Sequence, residues 1–353
     1  MAAQAGRCHH RGVRIQNLES TTAFIAIDLD GATSSGPVRW ARKILHGGAE
    51  DLARSQTYTY AALQMKRGGA SAGINAEDED RDAAVASFVS EVAGLVEART
   101  FLPDAARGVS EQDLAPLRTA DPRRTDLLLG DAPVALACEA TGAAAAADAA
   151  VGLDGRTVAI EGFAETGPML AEALVARGAR VISLATSEGA VSSEGFEAAA
   201  LRQAWSAHGP EMVGELGEAE AAWKVFAAGA EVLFVGSKMG AINHETAGRL
   251  DGTAAVVPIG QLPFTAKALA VFRRAGVAAL PDFVTVAGST VALWSEPGQV
   301  AEALVGQASA TVETLVRAAM TAADGPFLGA CYEAEAFLST WQDSLPFGRP
   351  LAP

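Results

Sequence analysis

The apolar positions in the first part of the chain repeat at helical spacing. In residues 49–65 and 82–98 they recur every three or four positions, which predicts two amphipathic helices. Gly68 and Gly69 follow the first of these, and we interpret the pair as the turn that ends the helix. The shorter run at 21–30 is rich in β-branched and aromatic residues and predicts a strand. This part of the chain therefore combines strands and helices.

Farther along, short apolar runs alternate with helical stretches. The predicted strands cover residues 156–163, 180–186, 230–237, 253–260 and 277–289. The predicted helices cover residues 139–151, 167–179 and 264–276. Strands that alternate with helices form a parallel sheet covered by helices on both faces. We therefore predict a doubly wound α/β domain in this part of the chain.

The length and charge of the chain limit its organisation and its partners. A chain of 353 residues is too long for one ordinary hydrophobic core and indicates two domains, which we place at residues 1–130 and 131–325. No stretch approaches the roughly 18 uncharged apolar residues of a membrane span, so we expect no membrane partner. The formal net charge of −15 opposes binding to a phosphate backbone, so we expect no nucleic-acid partner.

The three cysteines are few and widely spaced. Cys8, Cys138 and Cys331 are an odd number with no CxxC pair, which argues against a disulfide framework or a structural zinc site and fits a reducing cytoplasm. Cys8 is followed by His9 and His10, but an isolated triplet near a terminus is rarely a metal site. We expect a cytoplasmic protein without a metal.

A glycine turn follows the strand predicted at 156–163. Gly162 and Gly167 occupy the first and third glycine positions of a GxGxxG pattern, and Ala164 occupies the middle one. In dinucleotide-binding domains this turn brings the backbone and a helix N-terminus to a pyrophosphate, and Thr166 would lie in it. The extra methyl of Ala164 would weaken binding, and the carboxylate of Glu165 would repel a phosphate. The alternative is a turn that binds nothing tightly.

Two further positions bear on a nucleotide. The acidic residue that usually holds the ribose hydroxyls should fall near Thr186, but the first acidic side chain there is Glu188. Lys238 follows another predicted strand, at an edge where α/β sheets usually bind ligands. It could meet a phosphate, including the extra one of NADP, or it could pair with Glu245. NAD or NADP is thus a candidate cofactor on a weak signal.

The motifs together resemble the glutamate/leucine/phenylalanine/valine dehydrogenase family over nearly the whole chain. The matching motifs, in the family's order and close to its spacing, are "ATSSGPVRW", "QTYTYAALQMKRGGASAGI", "EATG", "VAIEGFAETG", "PIGQLPFT" and "ALPDFVTVAGSTV". The resemblance implies an N-terminal α/β substrate and oligomerisation domain and a C-terminal Rossmann-like domain. It also implies a small-molecule ligand in a cleft between them, a helix in 326–353 that returns to the first domain, and a homo-oligomer.

The family's catalytic positions are substituted. Family members oxidise an amino acid to a keto acid and ammonia with NAD(P), using one lysine that grips the carboxylate, another that activates water, and an aspartate that shuttles protons. The matching positions hold Thr59, Ser71 and Ala106, with Asp104 as a substitute aspartate only if the loop shifts by two residues. These side chains cannot neutralise a carboxylate, act as a strong base or move a proton, so we expect oxidative deamination to be absent or very weak. Lys66 could be a relocated cation or simply face solvent.

The resemblance also extends through the cofactor half. Thr141 of "EATG" is retained, and Gln261 keeps an amide where the family has asparagine. Val286 replaces the asparagine beside the nicotinamide, and Ser237 lies where the family has a proline–alanine strand end. Two hypotheses follow. The chain is either an NAD(P)-dependent oxidoreductase with altered chemistry, or a silent relative that acts as a binding or regulatory subunit, with an active paralogue as one conceivable partner.

Overall fold

The computed structural model describes residues 12–353, which form two compact units. Unit 1 comprises the described chain as far as Asp121 together with Ala334–Pro350. Unit 2 comprises Pro122–Glu333 and Leu351–Pro353. The domain boundaries predicted from the sequence lie between residues 130 and 131 and between residues 325 and 326.

Unit 1 is built on a five-stranded mixed sheet. Its strands are β1 (Arg14–Asn17), β2 (Ala23–Ile27), β3 (Ser34–Ala41), β4 (Gly68–Asn75) and β5 (Phe101–Ala105). Its helices are α1 (His46–Ala62), α2 (Arg81–Glu97) and α3 (Glu111–Arg118). The strand order is β1-β2-β4-β3-β5, in which β3 runs parallel to β4 and β5 while β2 runs antiparallel to β1 and β4. Apolar side chains of β2 pack against α1, and Phe88 of α2 meets Phe101 of β5 edge to face.

Gly68 and Gly69 begin strand β4 and do not form the predicted turn. Helix α1 ends earlier, at Ala62, and the chain reverses through Gln64, which has a positive φ of 55°. A Cβ on Gly69 would overlap the carbonyl oxygen of Ala53 in α1. The glycine is thus required because the strand lies directly on the helix backbone, a long-range contact that a local turn pattern imitates.

Unit 2 contains the doubly wound sheet. Its strands are β6 (Leu128–Leu129), β7 (Ala132–Pro133), β8 (Thr157–Glu161), β9 (Arg180–Ala185), β10 (Ala190–Ser192), β11 (Val232–Val235), β12 (Ala255–Pro258) and β13 (Ala278–Ala279). The main sheet has the order β10-β9-β8-β11-β12-β13, and β10 is antiparallel to β9 while the other neighbouring pairs are parallel. The predicted doubly wound α/β class is confirmed, with β6 and β7 forming a separate hairpin.

Ten helices of the described chain begin in unit 2. They are α4 (Val134–Val151), α5 (Gly167–Val175), α6 (Ala198–His208), α7 (Met212–Leu216), α8 (His244–Ala247), α9 (Ala266–Ala275), α10 (Asp282–Thr285), α11 (Ala287–Leu293), α12 (Ala301–Met320) and α13 (Pro326–Leu338). The division between the units falls within α13. Helices α4 and α11 cross so closely that a Cβ on Gly288 would overlap the carbonyl oxygen of Cys138.

The run at 277–289 is mostly helical, which corrects the predicted strand. Only β13 is extended, and α10 and α11 follow it. Proline lacks the N–H that a strand ladder needs, so Pro281 ends the strand and stands at the N-cap of α10. Valine and phenylalanine are frequent in strands, but here they are buried helix residues.

Among the described residues, α4 is the one helix long and apolar enough to cross a membrane, and 56% of it is buried inside the structure. This helix is not an uncharged apolar run, because two of its side chains are acidic. It carries Glu139 and Asp148, and the core helix of a globular domain passes the same test.

Candidate functional site: the expected catalytic positions and the glycine turn

Thr59 lies in the last turn of α1 with its hydroxyl committed to its own helix. The side chain is 1% exposed, and its Oγ1 donates to the carbonyl oxygen of Ser55 at 3.2 Å. This bond to the preceding turn is the usual one for threonine in a helix. The position therefore offers a buried, neutral hydroxyl where the sequence comparison expects a lysine.

Ser71 is fully buried in β4. Its Oγ donates to the carbonyl oxygen of Pro37 at 3.2 Å. Proline cannot donate to a strand ladder, and the register of β3 on β4 is interrupted between Ser35 and Val38. The serine side chain thus supplies a hydrogen bond in the gap. A serine used in this way, without a basic partner on the described chain, is too weak a base for neutral pH.

Ala106 follows the last residue of β5 in a tight turn. The N–H of Val109 donates to the Ala106 carbonyl at 2.8 Å. Gly108 in the turn has a φ of +78°, and a Cβ there would lie 2.8 Å from the indole ring of Trp40, so only glycine fits. Asp104, the substitute considered from the sequence, lies two residues earlier within β5 in register with Pro37. The methyl of Ala106 cannot transfer a proton.

Arg39 on strand β3 lies near Arg107, which follows strand β5, while Lys66 lies in a different loop. Arg39 in β3 pairs in register with Gly73, and its pKa is lowered by burial and further by the positive charge of Arg107. Lys66 is exposed in the loop after α1. Its proposed role as a relocated cation remains a prediction.

Sequence reasoning missed an ion pair that fastens α1 in unit 1. Arg54 and Asp28 are both buried, and Arg54 Nη2 lies 2.6 Å from Asp28 Oδ1. Arg54 Nη1 also donates to the carbonyl oxygens of Phe347 and of Gly348, the latter at 2.8 Å. An arginine in the middle of the helix predicted at 49–65 was the available signal, but its partners are far away in sequence. The pair fixes the helix that carries Thr59.

The glycine turn in unit 2 has the geometry that its sequence predicts. Gly162 has a φ of +86°, and a Cβ there would lie 2.6 Å from the backbone nitrogen of Ser237. Gly167 starts α5 beneath the ring of Phe163. The backbone N–H groups of Ala164, Glu165 and Thr166 have no hydrogen-bond partner within residues 12–353. Unpartnered donors before a helix can receive an anion, although the exposed carboxylate of Glu165 stands among them.

Glu161, which sequence reasoning also missed, ends β8 beside this turn. The side chain is 8% exposed, and its Oε2 accepts hydrogen bonds from the N–H groups of Gly236 and Ser237, both at 3.1 Å. The Ser237 hydroxyl donates to Oε1. A single acidic residue closing an apolar strand just before a glycine turn was the signal. The carboxylate joins the loops that follow β8 and β11.

Thr186 stands where a dinucleotide-binding domain usually has an acidic residue. Its hydroxyl donates to the carbonyl oxygen of Pro210 at 2.7 Å and accepts from the N–H of Glu188 at 3.1 Å. The side chain is 6% exposed. Thr186 therefore closes the turn after β9, and Glu188 is exposed. No carboxylate stands at residue 186 itself to bind ribose hydroxyls.

Lys238 follows Ser237 in the loop after β11. Both residues are exposed, and within the described chain Lys238 forms no ion pair with Glu245, which excludes that alternative for this structure. The neighbouring loop is held differently. Leu262 has a positive φ of 55°, and its N–H donates to Oδ2 of the buried Asp282 at 2.9 Å. This bond fixes the backbone next to Gln261.

The retained "EATG" motif lies within α4. Thr141 donates to the carbonyl oxygen of Ala137 at 2.8 Å. Burial raises the pKa of Glu139 to about 7, and a hydrogen bond with Ser289 of α11 opposes the rise. Val286, at the position compared with the family's asparagine, is 9% exposed. A carboxyl group that titrates near neutrality thus lies beside the segment compared with the nicotinamide site.

The described residues contain no group of three or more His, Cys, Asp or Glu side chains that could hold a metal ion. The sequence considered Cys8, His9 and His10 for such a role, but they lie outside the described residues. Cys138 and Cys331 are free and buried.

A doubly wound sheet with a glycine turn at its centre, in a chain that also has a second α/β unit, is typical of dinucleotide-dependent dehydrogenases. The sequence model of the Glutamate/Leucine/Phenylalanine/Valine dehydrogenase family matches residues 135–328. The chain belongs to this family. Members of the family are NAD(P)-dependent oxidoreductases of amino acids. No curated protein matches the chain.

Solved structures share the fold at low sequence identity. A hetero-hexameric glutamate dehydrogenase from Thermus thermophilus, in a Leu-bound form, is similar with a TM-score of 0.73 and 21% identity, covering 88% of this chain and 82% of that one. Plasmodium falciparum glutamate dehydrogenase gives a TM-score of 0.69 with 13% identity, covering 91% and 79%. L-tryptophan dehydrogenase from Nostoc punctiforme gives 0.64 with 16% identity, covering 94% and 97%.

Proposed function

We propose that this chain is a family member that does not deaminate amino acids and that acts as a binding or regulatory subunit. The observation that carries the proposal is common to Thr59 and Ser71. Each is a neutral hydroxyl, at most 1% exposed, that donates to a backbone carbonyl. Neither can supply the positive charge or the base that the family reaction uses, and Ala106 cannot move the proton.

The size of the expected loss follows from the three substitutions. Thr59 has no positive charge to pair with a substrate carboxylate, and its buried hydroxyl already donates to the Ser55 carbonyl, so we expect it to hold a carboxylate weakly. General acid–base steps typically contribute ~10²–10⁴-fold each to a rate, and the positions of both Ser71 and Ala106 lack such a group. Together we expect these losses to reduce the rate of oxidative deamination below what can be measured.

The nucleotide half supports the same proposal. Glu161 and Glu165 place two carboxylates around the glycine turn, and Thr186 donates to a backbone carbonyl. A carboxylate beside a pyrophosphate repels it, and no acidic side chain at residue 186 holds the ribose. These residues fit a tightly held NAD or NADP poorly.

We also propose that the chain assembles as a homo-oligomer, or with an active paralogue, and binds a small molecule. The similarity to a hetero-hexameric, Leu-bound glutamate dehydrogenase supports both parts of this proposal. The formal net charge of −15 supports a partner other than nucleic acid. We keep a cytoplasmic location as part of the proposal, because the three cysteines are few and widely spaced.

The test is to measure binding and turnover on the same purified protein. Amino acids and their keto acids are screened by thermal shift, where a ligand at one hundred times its Kd stabilises by about 2.7 kcal/mol. We expect at least one of them to raise Tm without being consumed. Turnover of the stabilising ligand with NAD or NADP would contradict the proposal, and so would the absence of any stabilising ligand.

A second candidate function is an NAD(P)-dependent oxidoreductase acting on another substrate. The unpartnered N–H groups of Ala164, Glu165 and Thr166 before α5 favour it, because they could still receive a pyrophosphate. Thermal shift with NAD, NADP and their reduced forms discriminates between the two. A clear shift with any of the four supports the oxidoreductase, and no shift supports the binding or regulatory subunit.

A further inference from the structure

The order of the strands reverses between β8 and β11. From β8 the chain continues outward to β9 in one direction, and from β11 it continues to β12 and β13 in the other. In open α/β sheets, ligands bind in the crevice at the carboxyl ends of the strands where this reversal occurs. In this chain the two loops at that point approach closely, since a Cβ on Gly162 would lie 2.6 Å from the Ser237 nitrogen.

Glu161 accepts hydrogen bonds from the loop after β11 in this crevice. Two backbone N–H groups and one hydroxyl of the loop after β11 all donate to its carboxylate. The two oxygens of a carboxylate can accept all three of these hydrogen bonds. The oxygen atoms of a phosphate would need donors of the same kind. The protein's own side chain thus takes the place of an anionic ligand on this loop.

The charge of Glu161 has no cationic partner, unlike that of Glu231 at the other end of the same two strands. Glu231 precedes β11, accepts from the N–H of Thr157 at 3.0 Å, and forms an ion pair with Arg156 at 2.9 Å. Within residues 12–353, Glu161 forms no ion pair with any lysine, arginine or histidine. Its negative charge is therefore held by neutral donors and remains uncompensated at the crevice.

We propose that Glu161 is a specificity-determining residue that excludes dinucleotides from this crevice. Its carboxylate occupies donors of the loop after β11 and repels a pyrophosphate, so the crevice selects ligands without phosphate. This inference adds to the binding role proposed above. It rests on that role in one respect, which is that the crevice is taken to be the ligand-binding site. Glu161→Gln keeps the shape and the accepting oxygen but removes the charge.

The experiment is a calorimetric titration of NADH into the wild-type protein and into matched variants. We expect Glu161→Gln to bind NADH at least about tenfold more tightly than the wild type. Glu231→Gln removes a carboxylate charge at the opposite end of the same two strands and should change the affinity for NADH by less than about twofold. Equal affinity in the wild type and Glu161→Gln, or no binding by either, would overturn the proposal.

A third variant separates the charge from the tethering of the loop. Ser237→Ala removes one donor to Glu161 while leaving the carboxylate in place, so we expect no tightening of NADH binding. Tightening as large as that of Glu161→Gln would show that loop mobility, and not charge, sets the affinity, and would overturn the proposal. Deamination is assayed separately on Glu161→Gln. Activity there would count against the proposed function and leave the charge inference intact.

Discussion

Thr57 and Thr59 lie two positions apart in α1 and use their hydroxyls differently. Thr57 Oγ1 donates to the Ala53 carbonyl at 3.2 Å and also accepts from the N–H of Gly69 at 2.9 Å. Thr59 donates only within its own helix. The first hydroxyl therefore joins the helix to β4, whereas the second is local.

This difference predicts unequal costs of replacing each threonine with valine. Thr57→Val leaves the N–H of Gly69 buried without an acceptor and should lower the free energy of unfolding by about 1–3 kcal/mol. Thr59→Val leaves no donor unpaired and should cost about 1 kcal/mol or less. Urea denaturation of both variants measures the difference. An equal cost would show that the bond between Thr57 and Gly69 contributes little.

Glu139 predicts a specific pH dependence of stability. Its pKa is raised from 4.5 to about 7, so between these values the folded protein keeps a proton that the unfolded chain has lost. The free energy of unfolding should therefore fall as pH rises through this window and level off above it. Glu139→Gln removes this penalty. We therefore expect the difference in the free energy of unfolding between the variant and the wild type to be more favourable to the variant at pH 8 than at pH 4.5, by at most on the order of 3 kcal/mol.

Chemical denaturation at several pH values provides the check, with Ser289→Ala as a matched variant. The hydrogen bond with Ser289 lowers the pKa of Glu139, so its removal should extend the loss of stability to higher pH. A Glu139→Gln variant whose stability follows that of the wild type at every pH would contradict this account.

At the scale of elements, the contact between β4 and α1 depends on a residue without a side chain. A Cβ on Gly69 would overlap the Ala53 carbonyl and would lie 2.5 Å from the Thr57 nitrogen. Gly69→Ala should therefore push the strand from the helix and destabilise the protein by about 1–3 kcal/mol.

Gly94 is the matched control for that substitution. It lies in α2 with nothing within 4 Å of an added Cβ. Gly94→Ala should stabilise the protein by about 0.5–1 kcal/mol, because alanine loses less conformational entropy in a helix. Thermal denaturation of the two variants tests the pair. Similar effects in both would mean that the close approach of strand and helix does not determine stability.

The sequence predicted the elements whose signals are local. The period of the apolar residues identified α2 and the parallel strands of unit 2, and the glycine spacing located the turn from Gly162 to Gly167. The predictions were wrong where the local conformation depends on contacts with distant residues. Gly69 looked like a turn residue because its requirement comes from α1, and residues 277–289 looked extended although Pro281 begins a helix.

The same distinction applies to the candidate site. The expectation that the family's catalytic residues are replaced at positions 59, 71 and 106 rests on motif spacing alone. The hydrogen bonds of these side chains could not be predicted from the sequence, because the Ser71 hydroxyl donates to the carbonyl of Pro37 on a neighbouring strand. Glu161 escaped notice because its role depends on a loop 75 residues later in the chain. Contacts of this kind arise when strands distant in sequence lie side by side, and the periodicity of apolar residues does not predict which strands are neighbours.

At the scale of the whole molecule, the family membership predicts an assembly. We expect the purified protein to be an oligomer of identical chains, as proposed above, because the family resemblance implies association through the first domain. Light scattering coupled to size-exclusion chromatography measures the mass. A monomer over a wide range of concentrations would be contrary to this expectation, whereas a mixed assembly isolated from its source would support the regulatory role.

We propose that a dehydrogenase scaffold persists in this chain without the chemistry of oxidative deamination. The most direct measurement is the initial rate of NADH or NADPH formation with glutamate, leucine, phenylalanine or valine, using the tryptophan dehydrogenase from Nostoc punctiforme with tryptophan as a positive control. We expect no rate above that of the reaction without protein for any of the four amino acids. Robust turnover of any one of them would contradict it.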